Sequence, residues 1–438
     1  VAAVSERLTR AVMRRAVPPA VAASLGLFAA DQAGAQTAVE TPVADPFFRQ
    51  RGQAVRDRPQ PAYDAVGLKV GGFTLWPRLQ SAAVFDDNVF AAPTAPRAAT
   101  TLRLTPDVTA RSDWGRHQIQ GYVRLDFDRN LNVSRESATD WRLGGAGRLD
   151  IAQGAHLTLA LDLEHGHEAR TAVGTDPLTV RPVAFDGVSA RLAGRRTRGR
   201  LRLDASAEVQ RRDYDDGADA AGALVKQDDR DRTTLTLTGR AAYALSPATA
   251  VYLQVAADDR DYRRVPSRPD RTSTGRETLT GVDFELGGLI RGDIALGHRR
   301  QTFDDPRFAD LDGLGGRGRV SWFPTALTTV SVAAERAVAD TGVVGAAGAR
   351  RTDLCFSVDH ELLRNLILSG RTAHVEDAYI GRDRTDRRFS AGLTADYRLN
   401  RRQGLTADLN WIDQASVGAA PGPRYRALWL ILAAVARF

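Results

Sequence analysis

The chain has one cysteine, Cys355, among 438 residues. A single thiol supports neither an internal disulfide framework nor a thiolate metal site. It shares the polar side of an alternating run with Ser357 and Asp359, where an incidental small residue is expected rather than a nucleophile. A chain so poor in thiols suits an oxidising compartment. Lysine is scarce as well: Lys69 and Lys226 are the only two, so 58 of the 60 basic residues are arginine. No stretch approaches the roughly 18 consecutive apolar residues of a spanning helix. The seven histidines form no constellation with serine or aspartate that would suit nucleophilic catalysis, which argues against an enzyme, and no cofactor is implied. A net charge of +7 would suit nucleic acid. However, arginine is interleaved with aspartate along the whole chain, without a basic block or finger spacing, so nucleic-acid binding is set aside.

What is present is a period of two from Phe73 onward. Leu157, Leu159, Leu161 and Leu163 alternate with Thr158, Ala160, Asp162 and Glu164. Leu201, Leu203, Ala205, Ala207 and Val209 alternate with Arg202, Asp204, Ser206, Glu208 and Gln210. Phe389, Ala391, Leu393, Ala395 and Tyr397, and Leu405, Ala407, Leu409 and Trp411, repeat the pattern. Such runs match a tilted membrane strand of roughly 9–11 residues. Their polar faces carry rows of Arg, Asp and Glu, which suit a water-filled lumen and not the core of a soluble barrel.

Short turns are expected near Asp113-Trp114-Gly115, Gln153-Gly154, Gly194-Arg195-Arg196, Ser246-Pro247, Arg291-Gly292, Phe323-Pro324, Arg364-Asn365 and Arg401-Arg402. Nine longer polar segments alternate with them, around residues 86–100, 132–138, 168–185, 214–230, 258–277, 302–311, 338–351, 377–386 and 414–424. Eight turns and nine loops make 17 connections, hence 18 strands, with 16 as the alternative count. The expected fold is all-β, a transmembrane antiparallel up-and-down β-barrel over residues 73–438 of a bacterial outer membrane, with both termini on the short-turn, periplasmic side. A β-propeller shares the repeat of about 40 residues but needs four short strands per repeat, where two long ones are found.

Before the barrel, Met13-Arg14-Arg15, the small apolar run from Ala16 to Ala30, and Ala33-Gly34-Ala35 have the form of a secretory signal. Cleavage after residue 35 would leave Gln36 first. Residues 36–72 hold Pro42, Pro46, Pro59 and Pro61 with Arg49, Arg51, Arg56 and Arg58, an extended linker. It is either a periplasmic tail or a segment that enters the lumen.

An aromatic-acidic element recurs at the expected strand tops: Phe85-Asp86-Asp87-Asn88, Tyr214-Asp215-Asp216, Phe303-Asp304-Asp305 and the mirrored Asp259-Arg260-Asp261-Tyr262. Aspartates starting turns and aromatics at the interface account for it plainly. The functional expectation is an outer rim that contacts sugar rings, or divalent cations near lipopolysaccharide. His165 and His167 share a strand face, but no third ligand stands at a set spacing, so no metal site is expected. Ten aromatics at or in expected strands (Trp76, Tyr122, Trp141, Tyr243, Tyr252, Trp322, Tyr397, Trp411, Tyr425 and Trp429) are compatible with interfacial girdles.

The last stretch is the most apolar. Leu428, Leu430, Leu432, Ala434, Ala436 and Phe438 form an even ridge expected to face lipid. Ala434, Ala436 and the terminal Phe438 are expected to serve the barrel-assembly machinery as its signal. The odd face, Trp429, Ile431, Ala433 and Val435, is apolar too and is expected to lie under a dry cover, with Phe47-Phe48 the candidate.

One stretch is more specific. Tyr63-Asp64-Ala65-Val66-Gly67, Gly71-Gly72-Phe73, Pro77, Phe85-Asp86-Asp87-Asn88-Val89-Phe90, Pro106 and Ser112-Asp113-Trp114-Gly115-Arg116-His117 resemble the opening of the family named "putative β-barrel porin type 2". The resemblance covers about residues 60–150. It implies an outer-membrane barrel that accompanies exopolysaccharide or capsule export, with a periplasmic polysaccharide export protein and an inner-membrane co-polymerase as partners. The first functional expectation is a passive pore for a surface polysaccharide. A diffusion or uptake porin and a plugged adhesive barrel are the alternatives, and an inward-folded constriction loop would favour the diffusion porin.

Overall fold

In lipid, each unpaired backbone N–H or C=O costs several kcal/mol, so a sheet that spans a membrane has to close on itself. The computed structural model describes residues 53–172 and 179–438, and its sheet does close. A short ribbon β1 (Leu68–Val70) leads into the wall strands β2 (Phe73–Asp86), β3 (Ala99–Ser112), β4 (Gln118–Asn130), β5 (Ala138–Ala152), β6 (Ala155–His167), β7 (Ala184–Arg198) and β8 (Leu201–Tyr214). One loop then holds the two-residue pair β9 (Gly217–Ala218) and β10 (Leu224–Val225). The wall resumes with β11 (Arg232–Ser246), β12 (Thr249–Tyr262), β13 (Ser273–Leu286), β14 (Ile290–Phe303), β15 (Leu311–Thr325) and β16 (Thr328–Ala339). It ends with β17 (Gly348–Leu363), β18 (Leu366–Ile380), β19 (Thr385–Arg398), β20 (Gln403–Val417) and β21 (Tyr425–Arg437). Seven and eleven wall strands make the 18 expected from the turn arithmetic.

Every neighbouring pair is antiparallel, and β2 joins β21 from Arg78↔Arg437 to Asp86↔Trp429 to shut the barrel. The lower end of the same β2 edge is taken by β1, with Val70 opposite Phe73. The terminal Phe438 fits between these two partners and donates its backbone N–H to the Pro77 carbonyl at 3.1 Å.

Among the described residues the connections alternate between eight short turns and nine longer loops, as expected. Three of the turns lie elsewhere than the sequence suggested. Gly194-Arg195-Arg196 is inside β7, and the chain reverses at Gly199, whose φ is +56°. Arg291-Gly292 belongs to β14, after a turn at Gly287 and Gly288 with φ of +59° and +72°. Phe323-Pro324 is part of β15, where the register with β16 shifts between Trp322 and Thr325. A bulge excuses the missing proline N–H. At the first two of these, glycines able to take positive φ mark the real reversals.

The two faces separate as the alternation requires. Leu157, Leu159, Leu161 and Leu163 are exposed on the outside, as are Leu201, Leu203, Leu393, Leu405 and Leu409. A continuous belt of this kind far exceeds the roughly 300–600 Å² of apolar patch that soluble monomers carry. The aromatics divide. Tyr243, Trp322 and Tyr397 are exposed near the short-turn ends of their strands, and Trp141 near a loop end, in keeping with two interfacial girdles. Tyr252 and Tyr425 are buried instead, and Tyr122 turns inward to Asp162.

The closing strand shows both of its faces. Leu428, Leu430, Leu432 and Phe438 are exposed, and Ala434 and Ala436 lie on the same outer ridge. Inside, Ile431, Ala433 and Val435 are 9, 6 and 3% exposed, and Ile431 and Ala433 pack with Ala82, Val84 and Trp429. This dry inner face is not confined to β21, because Ile412, Ile367 and Leu279 are also buried within the barrel. Phe47-Phe48 and the signal segment lie outside the described residues.

Candidate functional site: the pore lining

The lumenal wall is a mesh of charged side chains, and glycines determine its weave. On β13, a β-carbon at Gly281 would stand 2.3 Å from Tyr252 Cζ. Its absence lets the Tyr252 ring lie across β13 and donate its hydroxyl to Asp293 of β14 at 2.7 Å. Arg240 of β11 covers that ring at 3.5 Å and donates to the same carboxylate at 3.1 Å. Gly187 works likewise: Arg212 of β8 reaches Glu164 of β6 over it, at 2.5 Å. Sequence alone misses these bridges because they need the register, although an inward glycine opposite an inward tyrosine is their signature.

Beside Tyr252 the wall opens into a recess of about 320 Å³ lined by Arg195, Arg202, Arg240, Arg291 and Arg319 with Asp204, Asp283 and Asp293. Two of its pairs are fixed, Arg195–Asp204 at 2.6 Å and Arg240–Asp293 at 3.1 Å. Arg291 lies over the Phe323 ring at 5.9 Å.

At the long-loop mouth, two loops turn inward. The β16–β17 loop carries Asp340 to the tops of β11 and β12, where it accepts from Arg232 at 2.7 Å and from the Tyr262 hydroxyl at 2.7 Å. Arg271 of the β12–β13 loop donates to the Thr341 carbonyl at 2.5 Å. Burial alone would push the Asp340 carboxyl up, but the Arg232 and Arg271 guanidiniums hold it below the usual carboxylate range. The loop's other end is packed: Ala346 and Ala349 are fully buried with Tyr379, and Ala347 is buried with Phe303 and Phe308. From the β6–β7 connection, Thr171 offers its carbonyl to the Tyr425 hydroxyl of β21 at 3.3 Å, and Arg170 pairs with Glu136 at 2.8 Å. These loops therefore bridge strands that are not neighbours in the wall.

The aromatic-acidic residues take part in this roofing. Tyr214, Tyr262 and Phe303 are 8, 4 and 8% exposed. Arg230 covers Tyr214 at 3.9 Å, and Phe308 meets Phe303 edge-on at 6.0 Å. Phe85 alone of the four rings is exposed. Asp86 accepts from the Asn88 N–H at 2.8 Å, and Asp87 from the Leu428 N–H at 2.8 Å. Asn88 fastens the loop to the Arg426 carbonyl, also at 2.8 Å. Asp216 accepts from the Gln227 N–H at 2.9 Å, Asp305 grips Arg307 at 2.5 Å, and the Asp304 and Asp215 N–H groups donate to the Thr272 and Ala184 carbonyls. Asp259 and Asp261 alternate with the inward Asp258, Arg260 and Tyr262, and so point outward. Phe85, Asp259 and Asp261 apart, these groups brace loops and turns. His165 and His167 pair with Asp186 at 2.8 Å and Asp140 at 2.7 Å, and among the described residues no three His, Cys, Asp or Glu side chains could hold a metal ion.

At the short-turn mouth, residues 53–64 lie as a strap along the lumenal face of β16 to β19. Val55, 1% exposed, donates its N–H to Thr329 at 3.0 Å. Arg56 pairs with Asp359 at 2.8 Å and bonds Ser369 at 2.6 Å, and Arg58 pairs with Glu361 at 3.1 Å. Arg398 then holds Asp64 at 2.9 Å, and Arg401 holds the Pro61 carbonyl at 2.8 Å. Residues Val55–Asp57 form a single 3-10 turn, and the arginines in and just after it, Arg56 and Arg58, reach two carboxylates of β17.

Among solved structures, the chain is similar to Pseudomonas aeruginosa OccK2 (OpdF), at 10% identity and a TM-score of 0.48, covering 84% of this chain and 98% of that one. It is similar to the outer membrane protein opdK of Pseudomonas aeruginosa at 13% identity and 0.43, covering 83% and 99%. The FrpB iron transporter of Neisseria meningitidis aligns at 11% identity and 0.46, covering 84% and 82%. No curated protein sequence matches the chain. The profile of the family described as "Putative beta-barrel porin 2" matches residues 60–438, and the chain belongs to that family of outer-membrane β-barrel porins.

Proposed function

We propose that this protein is a passive diffusion porin for small polar solutes, sieved by its own inward-folded loops. The observation that carries this reading is the anchoring of Asp340 on Arg232 and Tyr262, which bends the β16–β17 loop over strands it does not adjoin. A conduit for a long polymer needs a clear passage, and this anchored loop narrows one mouth while the strap narrows the other. Charged groups line the passage between them, so water and polar solutes are its natural contents. In this reading the short turns and both ends of the described chain face the periplasm. Reconstitution in planar bilayers tests the reading: discrete conductance steps support it, and a folded barrel that gives none sinks it.

Polysaccharide export is the second reading, and it requires the strap to leave the short-turn mouth. A periplasmic export protein, linked to an inner-membrane co-polymerase, would meet the strap at the short-turn mouth and could draw it aside. Loss of surface polysaccharide on deleting the gene would support export, and unchanged polysaccharide would rule it out. The assembly role of Phe438 is a further part of the proposal. Removing Phe438 should lower insertion into the outer membrane, measured as the heat-modifiable barrel fraction, and undiminished insertion would contradict it.

A further inference from the structure

The recess beside Tyr252 holds five guanidiniums against three carboxylates, gathered from β7, β8, β11, β13, β14 and β15. Two arginines are spoken for by Asp204 and Asp293. Arg291 and Arg319 form no ion pair among the described residues, although Arg319 stands directly opposite Asp293 in the register. The Tyr252 hydroxyl and Arg240 already share that carboxylate, which leaves the Arg319 fork turned to the recess. A guanidinium is always charged and presents its donors in a planar fork that fits carboxylate and phosphate oxygens. The volume of about 320 Å³ is that of a small-metabolite site, at the low end of the roughly 300–1,000 Å³ of ligand clefts.

We infer that this recess is a binding station for small dianions, carboxylates or phosphates, on their way through the barrel. The inference rests on the diffusion-porin reading and names its solute class. The excess of two positive charges matches one dianion, and field focusing in a recessed, low-dielectric wall raises the local concentration of that solute. The fixed Arg195–Asp204 and Arg240–Asp293 pairs hold the frame, while Arg291 and Arg319 supply the exchangeable contacts. Such a station binds loosely enough to release its guest toward the lumen.

The experiment uses the full chain, with inorganic phosphate and succinate as probes. In planar bilayers, phosphate should lower the chloride current in wild type. In the Arg291→Gln/Arg319→Gln double variant the apparent affinity should fall by roughly tenfold or more, as expected when two charge-assisted contacts are lost. Arg291→Lys/Arg319→Lys should recover only part of it, because the charge returns without the fork. Arg103→Gln, on β3 away from the recess, should leave phosphate block unchanged. Succinate separates the sources: block by both anions fits a general dianion station, and block by phosphate alone restricts it to phosphates. Calorimetry on the detergent-solubilised barrel reads binding without conduction. Phosphate binding with no conductance would sink the porin reading and keep the station. Conductance with neither block nor binding, or block unchanged in the glutamine variant, would overturn the station and keep the porin.

Discussion

The lumenal face from β7 to β15 and the face from β16 round through β21 to β2 are woven from the same alternating strands. The first presents guanidiniums and carboxylates to a recess that opens on the lumen. The second is covered, by the strap along β16 to β19 and by its own apolar packing around Ile431, Ala433 and Ala82. The difference shows that period two decides which residues point inward and leaves open what they meet there. Around the recess they meet solvent, and along β16 to β19 they meet a segment of the same chain.

The comparison can be broken from either side. The largest effect is expected at the anchor of the outer loop. Asp340→Asn removes the carboxylate from a pair with Arg232 whose side chains are 6% and 16% exposed. Leaving a buried charge unpaired costs about 3–5 kcal/mol, so the loop should detach and single-channel conductance should rise. The native carboxyl is held below its usual range, so its contribution is complete at neutral pH. That contribution is lost as pH falls below about 4, the ordinary aspartate value, toward the depressed one. Detachment of the loop should therefore set in only in acid below about pH 4, read as a step to larger single-channel conductance there.

Next comes the strap. Arg56→Ala with Arg58→Ala deletes half-buried contacts to Asp359 and Glu361. Lost hydrogen bonds to charged groups cost about 1.5–3 kcal/mol each, enough to shift the docked fraction roughly tenfold or more. Faster protease cleavage between residues 53 and 64 in detergent would report the release. Cleavage at the wild-type rate would mean that the arc is covered without these latches.

The smallest of the three belongs to the open arc. Gly281→Ala puts a methyl group against the Tyr252 ring. Overpacking costs about 1–3 kcal/mol, so urea unfolding should shift modestly while phosphate block weakens as Asp293 loses its tyrosine.

Much of the architecture was readable because alternation, turn chemistry and loop length are local. The 18 strands, the lipid-facing ridge of Leu428 to Phe438 and the asymmetric connections all follow from such signals. Turn positions failed where arginine clusters outweighed Gly199 and Gly287. The site was less legible. The aromatic-acidic elements suit either turns at the interface or a ligand-contacting rim, and Phe303, Tyr214 and Tyr262 are buried beneath loops. That outcome depends on how the loops fold back, which joins residues such as Tyr262 and Asp340 that are far apart in the chain. The Tyr252–Asp293 bridge over Gly281 depends on register in the same way.

The central claim is a solute-sized pore narrowed by its own anchored loop. Single-channel recording of wild type beside Asp340→Asn tests it most directly. Discrete steps are expected in wild type and larger ones in the variant. Folded wild-type barrels without steps, or identical steps in the two proteins, would contradict it.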